Sequence, residues 1–320
     1  MNSFYEGKKV LVTGGTGMLG LNVIEQLLPT GAQIRATLHQ RKPVINSESI
    51  EYVWCDLTKR EDCYSVVKGV DYVFLCAAVT SGAAVIVNNP VVHITSNLII
   101  NSQMLEAACF SGVKRLLFIS SSTTYPPSDH PMKEEEMMDG DPHESVYGVG
   151  WMKRYTEKLC TFYRRRYKMG VAIVRPTNAF GKYDDFNYET AHVLPALVRR
   201  AFERQDPYVV WGTGNDVRDF IYAEDLACGL ILALEKYCVG EGINIASGST
   251  ITIKEAVKLI LKYTDYQNAN VVFDSSQPST FPKRLVDITK AREILGFKPK
   301  YTFEEGLKKM IEWYKPQRNG

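Results

Sequence analysis

Residues 145–160 read SVYGVGWMKRYTEKLC and set a phenol, Tyr147, six positions before a lysine, Lys153. Held together, a phenol and an ammonium form a proton-transfer pair. On a helix at about 100° per residue the two side chains lie about 120° apart, whereas Val149 shares the face of Lys153. Tyr147 therefore reaches Lys153 only through an insertion or a non-helical approach. A second chemistry-bearing stretch is VLVTGGTGMLG, residues 10–20, with Gly14, Gly17 and Gly20 where an apolar run turns into a helical pattern. Glycine permits the tight turn and lets a pyrophosphate approach backbone N–H groups at the positive end of the helix.

A structural turn also needs glycines, so the position of this one matters. It sits at the first strand–helix junction, the place of a dinucleotide site, with Thr16, Met18 and Leu19 completing the loop. Cys55-Asp56-Leu57 ends the third strand, where a carboxylate can accept from an adenine amino group; Cys76-Ala77-Ala78 ends the fourth, where small side chains let a dinucleotide pass. Each is equally readable as a strand end with a turn residue. The end of the second strand, LHQRK at 38–42, lacks the acid that an NAD site offers to the ribose 2′-hydroxyl and carries Arg41 beside Lys42. That favours NADP(H), with NAD(H) as the alternative, although exposed loop charges are common.

The elements that must position these groups are short β-branched and aromatic runs alternating with amphipathic stretches. KKVLVTG, AQIRATL, EYVWCDL, DYVFLCA, RLLFISSS and GVAIVRPT read as buried parallel strands. The expectation is an α/β fold, a Rossmann-type doubly wound parallel sheet over residues 1–178. Residues 179–320 are expected to form a smaller C-terminal α/β substrate lobe, with elements of about 218–247 returning to the first domain. The polar stretch SDHPMKEEEMMDGDPHES, 128–145, is the candidate mobile loop near the site.

Composition narrows the function classes. The chain has 320 residues, net charge +2 and 38 basic against 36 acidic residues, interspersed and without a one-sided basic stripe, which argues against a nucleic-acid partner. Seven cysteines show no CxxC or Cys/His metal spacing and read as buried thiols in a reducing cytosol, with no metal expected. Neither a signal-peptide pattern nor an apolar run near the ~20 residues of a membrane helix is present, so a soluble cytoplasmic protein is expected.

With these residues in view, the chain resembles the extended short-chain dehydrogenase/reductase family, the epimerases and dehydratases of nucleotide sugars. TGGTGMLG at 13, ISSSTTYPP at 119, RPTNAFGKYDDF at 175, AHVLPALVRR at 191, VVWGTGNDVRDFIYAEDLA at 209 and PKRLVDITKAREILGFKP at 282 carry the likeness across nearly the whole chain. HVLPALVRR followed by VVWGTG and a downstream arginine is the pattern of members acting on GDP-sugars. The resemblance makes Ser121 and Ser122 hydroxyls beside the sugar, His192 an epimerisation acid, and Lys153 the lysine of the nicotinamide ribose. It places Pro176 and Asn178 beside the cofactor. Asn178, His192, Val193, Arg200, Trp211, Arg218, and Lys283 or Arg284 fall on the sugar-nucleotide side. Cations suit phosphates and Trp211 suits a base, though a tryptophan after a strand also suits a core and Arg200 a solvated helix face.

The chain departs from the family twice. Thr123 stands where the GDP-sugar branch has a basic cysteine; a threonine hydroxyl is far too weak an acid to serve as that base unaided. Val149 stands where the spacing from Lys153 to Cys160, Tyr163, Tyr167 and Pro176-Thr177-Asn178 puts the catalytic tyrosine, leaving Tyr147, Ser122 or Thr123 as proton carriers. The implied activity is hydride transfer between NADP(H) and a nucleotide-linked sugar, a GDP-sugar at C4, in a homodimer. The alternatives are an epimerase with tightly bound cofactor, or a non-catalytic sugar-nucleotide binding protein that has lost its tyrosine.

Overall fold

The structure is a computed structural model that describes residues 4–80, 89, 91–277 and 283–317. Its main sheet has seven strands: β1 (Lys9–Val12), β2 (Gln33–Leu38), β3 (Ile50–Trp54), β4 (Tyr72–Leu75), β5 (Arg115–Ile119), β6 (Gly170–Pro176) and, much later in the chain, the strand Val239–Ile245. Every pairing is parallel, in the order 3-2-1-4-5-6 with Val239–Ile245 outside β6. The order reverses between β1 and β4, which opens a crevice at the carboxyl ends of those strands.

The strands are apolar on both faces because both faces are covered. Val10, Val12, Phe74, Leu117, Ala172 and Val174 enter one core, with α1 (Met18–Leu27) and the helix Ala223–Lys236. Their alternates Leu11, Val73, Leu75, Leu116, Phe118, Val171 and Ile173 enter the other, with α2 (Arg60–Val67), α3 (Val92–Phe110) and α4 (Tyr147–Tyr167). This is the period-two alternation of a strand read out by two helical layers.

The rest of the chain builds a third core, around Phe180, Leu197, Tyr208, Phe220, Ile260 and Met310. Its helix α5 (Val193–Phe202) follows β7 (Asn178–Phe180), and short strands bring distant segments together. β8 (Tyr208–Trp211) pairs with Val271–Asp274; β9 (Val217–Arg218) lies between Ile251–Thr252 and Lys283–Arg284.

Residues 128–145, expected as a mobile loop, are pinned. Arg154 donates to the carbonyls of Met137 (2.5 Å) and Gly140 (2.6 Å), and Arg175 to that of Glu134 (2.8 Å). Met132 exchanges backbone hydrogen bonds with Leu285 and Asp287. The composition of the stretch misleads because its anchors lie elsewhere, on α4, on β6 and after residue 283.

Candidate active site

At the β1–α1 junction the backbone closes tightly. Gly14 has φ +65°, and a Cβ there would come within 2.9 Å of the Ala77 Cα at the end of β4; a side chain at Gly20 would overlap the Gly14 carbonyl. Two threonines that the glycine pattern does not announce hold the loop. Thr37 accepts from the Gly14 N–H at 2.9 Å, and Thr13 accepts from the Ala77 N–H at 2.9 Å. Gly17 is the N-cap of α1, no side chain caps it, and the helix's first turn holds no acid, which leaves its N–H groups for an anion. A side chain at Gly17 would meet only the Gly14 carbonyl, at 3.5 Å, leaving close approach open. The loop therefore fits a dinucleotide pyrophosphate. Thr16, Met18 and Leu19 lie along it, and Ala77 and Ala78 end the neighbouring strand.

At the end of β3, Asp56 Oδ1 accepts from the Thr58 N–H and hydroxyl at 3.0 and 2.7 Å, bonds that hold its pKa below the usual carboxylate range. The same carboxylate thus closes a turn, as its structural reading required. Leu57 is buried behind it, whereas Arg41 and Lys42 are exposed beyond β2.

Lys153 projects from α4 under the end of β5. Its Nζ donates to the Ile119 carbonyl at 2.7 Å and stands 4.9 Å from the Phe118 ring centroid. Burial lowers its pKa to about 8 against the opposing pull of Glu157 and Cys160. Val149, half-buried, is one turn earlier on the same helix. Tyr147 begins the helix, is 44% exposed, and sets its ring edge-on against Trp151 at 6.4 Å. The structure does not bring Tyr147 to the face of Lys153.

Hydroxyls gather in the short turn after β5. Ser121 caps it by accepting from the Thr123 N–H at 3.1 Å, and Ser122 is buried beside Tyr125, Pro126 and Arg284. The Thr123 Oγ1 is buried and makes no hydrogen bond. A buried orphan hydroxyl is costly unless a ligand satisfies it. Behind the turn, Ser120 donates to Glu157 at 2.5 Å, and Glu157 is gripped by Arg175 through Nε (3.0 Å) and Nη2 (2.7 Å). The sequence reading missed this network; its signals were an arginine in a buried strand and an acid one helical turn after Lys153.

On the far side, Pro176 is buried, and Asn178 donates through Nδ2 to the Asp219 carbonyl at 2.9 Å. His192, the N-cap of α5, is exposed. Val193 follows, 42% exposed. Trp211 is 38% exposed at the end of β8, whereas Arg200 donates to the Val209 carbonyl and so ties α5 to β8. Register decides between the two cations at 283–284. Arg284 lies opposite Arg218, which is buried and ion-paired with Asp216 at 3.1 Å; Lys283 donates to the Asp129 carbonyl at 2.6 Å. Burial lowers the Arg284 pKa to about 9, and Arg218 pushes the same way.

The glycine turn at the β1–α1 junction, Lys153 beneath the hydroxyl-rich turn after β5, and the Arg218–Arg284 pair are the features that comparison with known proteins bears on. The chain is similar over 97% of its length, and 92% of the relative's, to a probable GDP-L-fucose synthase of Oryza sativa subsp. japonica, at 33% identity. It is 32% identical to the GDP-L-fucose synthase of Escherichia coli K12, over 96% of each chain. Its fold superposes on a UDP-glucose 4-epimerase of Thermotoga maritima crystallised with UDP-glucose, with TM-score 0.87, 27% identity, and coverage of 97% of this chain and 99% of that one. Residues 10–246, from β1 through the strand that returns to its sheet, match the model of the NAD dependent epimerase/dehydratase family, and to that family the chain belongs.

Proposed function

We propose that the protein is an NADP(H)-dependent oxidoreductase that reduces, or in reverse oxidises, a nucleotide-linked sugar, a GDP-sugar at C4. The observation that carries this reading is the Thr123 hydroxyl, buried without a hydrogen-bond partner in the turn that α4 presses against beside Lys153. Gly14, Gly17 and Gly20 with the α1 N-terminus would hold the pyrophosphate, Lys153 the nicotinamide ribose, and Arg41 the 2′-phosphate. When bound, the reduced nicotinamide supplies the hydride to the carbonyl carbon. The chain must then bring one proton to the carbonyl oxygen. Ser121 and Ser122 orient that oxygen, Thr123 donates to it, and the Lys153 ammonium restores the threonine proton. Arg218 and Arg284 answer the diphosphate and Trp211 the base. The names of the relatives, GDP-L-fucose synthases, support the GDP-sugar.

Apolar residues exposed on two neighbouring helices, Ile99 and Phe110 on α3 with Trp151, Tyr155 and Phe162 on α4, support a homodimer joined across them. No described helix is long and apolar enough to cross a membrane. The free thiols Cys63 and Cys160, both buried, suit a cytoplasmic enzyme.

The test is oxidation of NADPH on addition of a 4-keto-6-deoxy GDP-sugar, lost in Thr123→Val. A second reading, an epimerase, draws on His192 at the N-terminus of α5, which the resemblance places as the epimerisation acid. Heavy water separates them: the reductase leaves C3 and C5 unlabelled, whereas deuterium uptake at either carbon, without net oxidation of cofactor, establishes the epimerase.

A further inference from the structure

The helix that carries Lys153 grips the turn that carries Thr123 at both ends. One residue after Lys153, the Arg154 side chain is 2% exposed and its Nε donates to the Thr124 carbonyl at 2.8 Å. Its Nη2 donates to the carbonyls of Met137 and Gly140 at 2.5 and 2.6 Å. One turn further along, Glu157 accepts from Ser120 at 2.5 Å. One turn before Arg154 lies Gly150, where a Cβ would come within 2.7 Å of the Thr123 carbonyl, so helix backbone and turn are in direct contact.

A guanidinium is expensive to bury, and an apolar side chain would pack a helix against a loop more cheaply. What arginine adds is a planar fork of fixed donors, here aimed at three carbonyls from two separate segments. The contacts to Met137 and Gly140 also hold the chain leading into Tyr147, which keeps that phenol at the outer face of the helix start.

We propose that Arg154 is a positioning residue for proton delivery: by holding the Thr124 carbonyl and residues 137–140 to the Lys153 helix, it fixes the Thr123 hydroxyl where the sugar oxygen is reached. The inference rests on the reading of Thr123 as the proton-delivering hydroxyl. In a site with an apolar residue at position 149, turnover then depends on the rigidity of that one turn.

The experiment compares Arg154→Met, Arg154→Lys, Thr123→Val and the double variant Thr123→Val/Arg154→Met in the full-length chain. Turnover of the 4-keto GDP-sugar, its KM, the Kd for NADPH and the thermal midpoint are measured for each. Arg154→Met is expected to lower kcat by about 10- to 100-fold with KM and the NADPH Kd within about threefold, and Arg154→Lys to recover part of the loss. The double variant is expected to be no slower than Thr123→Val by more than about twofold, because both act on one group. Losses that multiply in the double variant, or a fall in kcat matched by equal losses in cofactor binding and folded fraction, overturn the role of Arg154 while leaving Thr123 in place. Full activity of Thr123→Val overturns the Thr123 reading itself. If Arg154→Met does not fold, unchanged kcat in Arg154→Lys, whose ammonium lacks the fork, overturns the proposal.

Discussion

Arg284 lies directly across from Arg218 in parallel register, and Arg218 is ion-paired with Asp216 at 3.1 Å. Burial and its like-charged neighbour both push the Arg284 pKa down, to about 9. If the diphosphate of the proposed substrate sits against this pair, Arg284→Gln should remove most of the upward shift in thermal midpoint that saturating GDP produces in the native chain. Differential scanning with and without GDP checks it; an intact GDP shift would place the anion elsewhere.

The HQRK loop after β2 contains no acid, and Arg41 stands exposed in it. A guanidinium on a 2′-phosphate is a charge-assisted contact, so Arg41→Ala should weaken NADPH by about 1.5–3 kcal/mol, roughly 10- to 100-fold, and barely change NADH. Fluorescence titration of both cofactors decides it. Tighter NADH binding by the native protein would reverse the assignment.

The main sheet is legible in the chain because its strands are buried on both faces and so appear as uninterrupted apolar runs, as in YVFL at 72–75, every residue of it buried. The glycine turn is legible because only glycine fits beside Ala77. What the sequence conceals is whatever long-range pairing decides. Arg200 and Arg284 are both arginines near a strand, yet one caps the Val209 carbonyl and the other faces Arg218. The stretch 128–145 is polar and rich in acids, but Arg154 and Arg175, distant in sequence, hold it down. Helical phase alone separates Val149 from Tyr147, and there the spacing of the sequence and the placement in the structure agree.

The depressed pKa of Lys153 fixes the sign of two pH effects. Its folded value of about 8 lies below the ordinary 10.5, so between these limits the unfolded chain binds more protons and the contribution of this group to stability rises with pH. Below pH 8 the full cost of the buried ammonium applies, on the order of 3 kcal/mol. Lys153→Met should thus raise the thermal midpoint of the cofactor-free protein at neutral pH while weakening NADPH binding. If the ammonium restores the Thr123 proton, kcat for ketone reduction should also fall as pH rises through 8. A flat profile from pH 6 to 10 in the presence of saturating substrates would exclude lysine as the proton source.

The last expectation concerns the phenol. Val149 shares the Lys153 face and cannot exchange protons at any pH, whereas Tyr147 lies against Trp151 at the exposed helix start. Tyr147→Phe should therefore leave turnover within a few-fold, and Thr123→Val should lower it by ~10²-fold or more, the loss expected for a general acid. Val149→Tyr sharpens the comparison, since it returns a phenol to the helical turn before Lys153. A phenol is a far stronger acid than an alcohol, so this variant should turn over faster than the native chain by about tenfold or more and should tolerate Thr123→Val. Stopped-flow oxidation of NADPH under single-turnover conditions isolates the chemical step from product release. Loss of activity in Tyr147→Phe together with full activity in Thr123→Val would mean that substrate binding draws Tyr147 inward, which requires the bonds from Arg154 to Met137 and Gly140 to open.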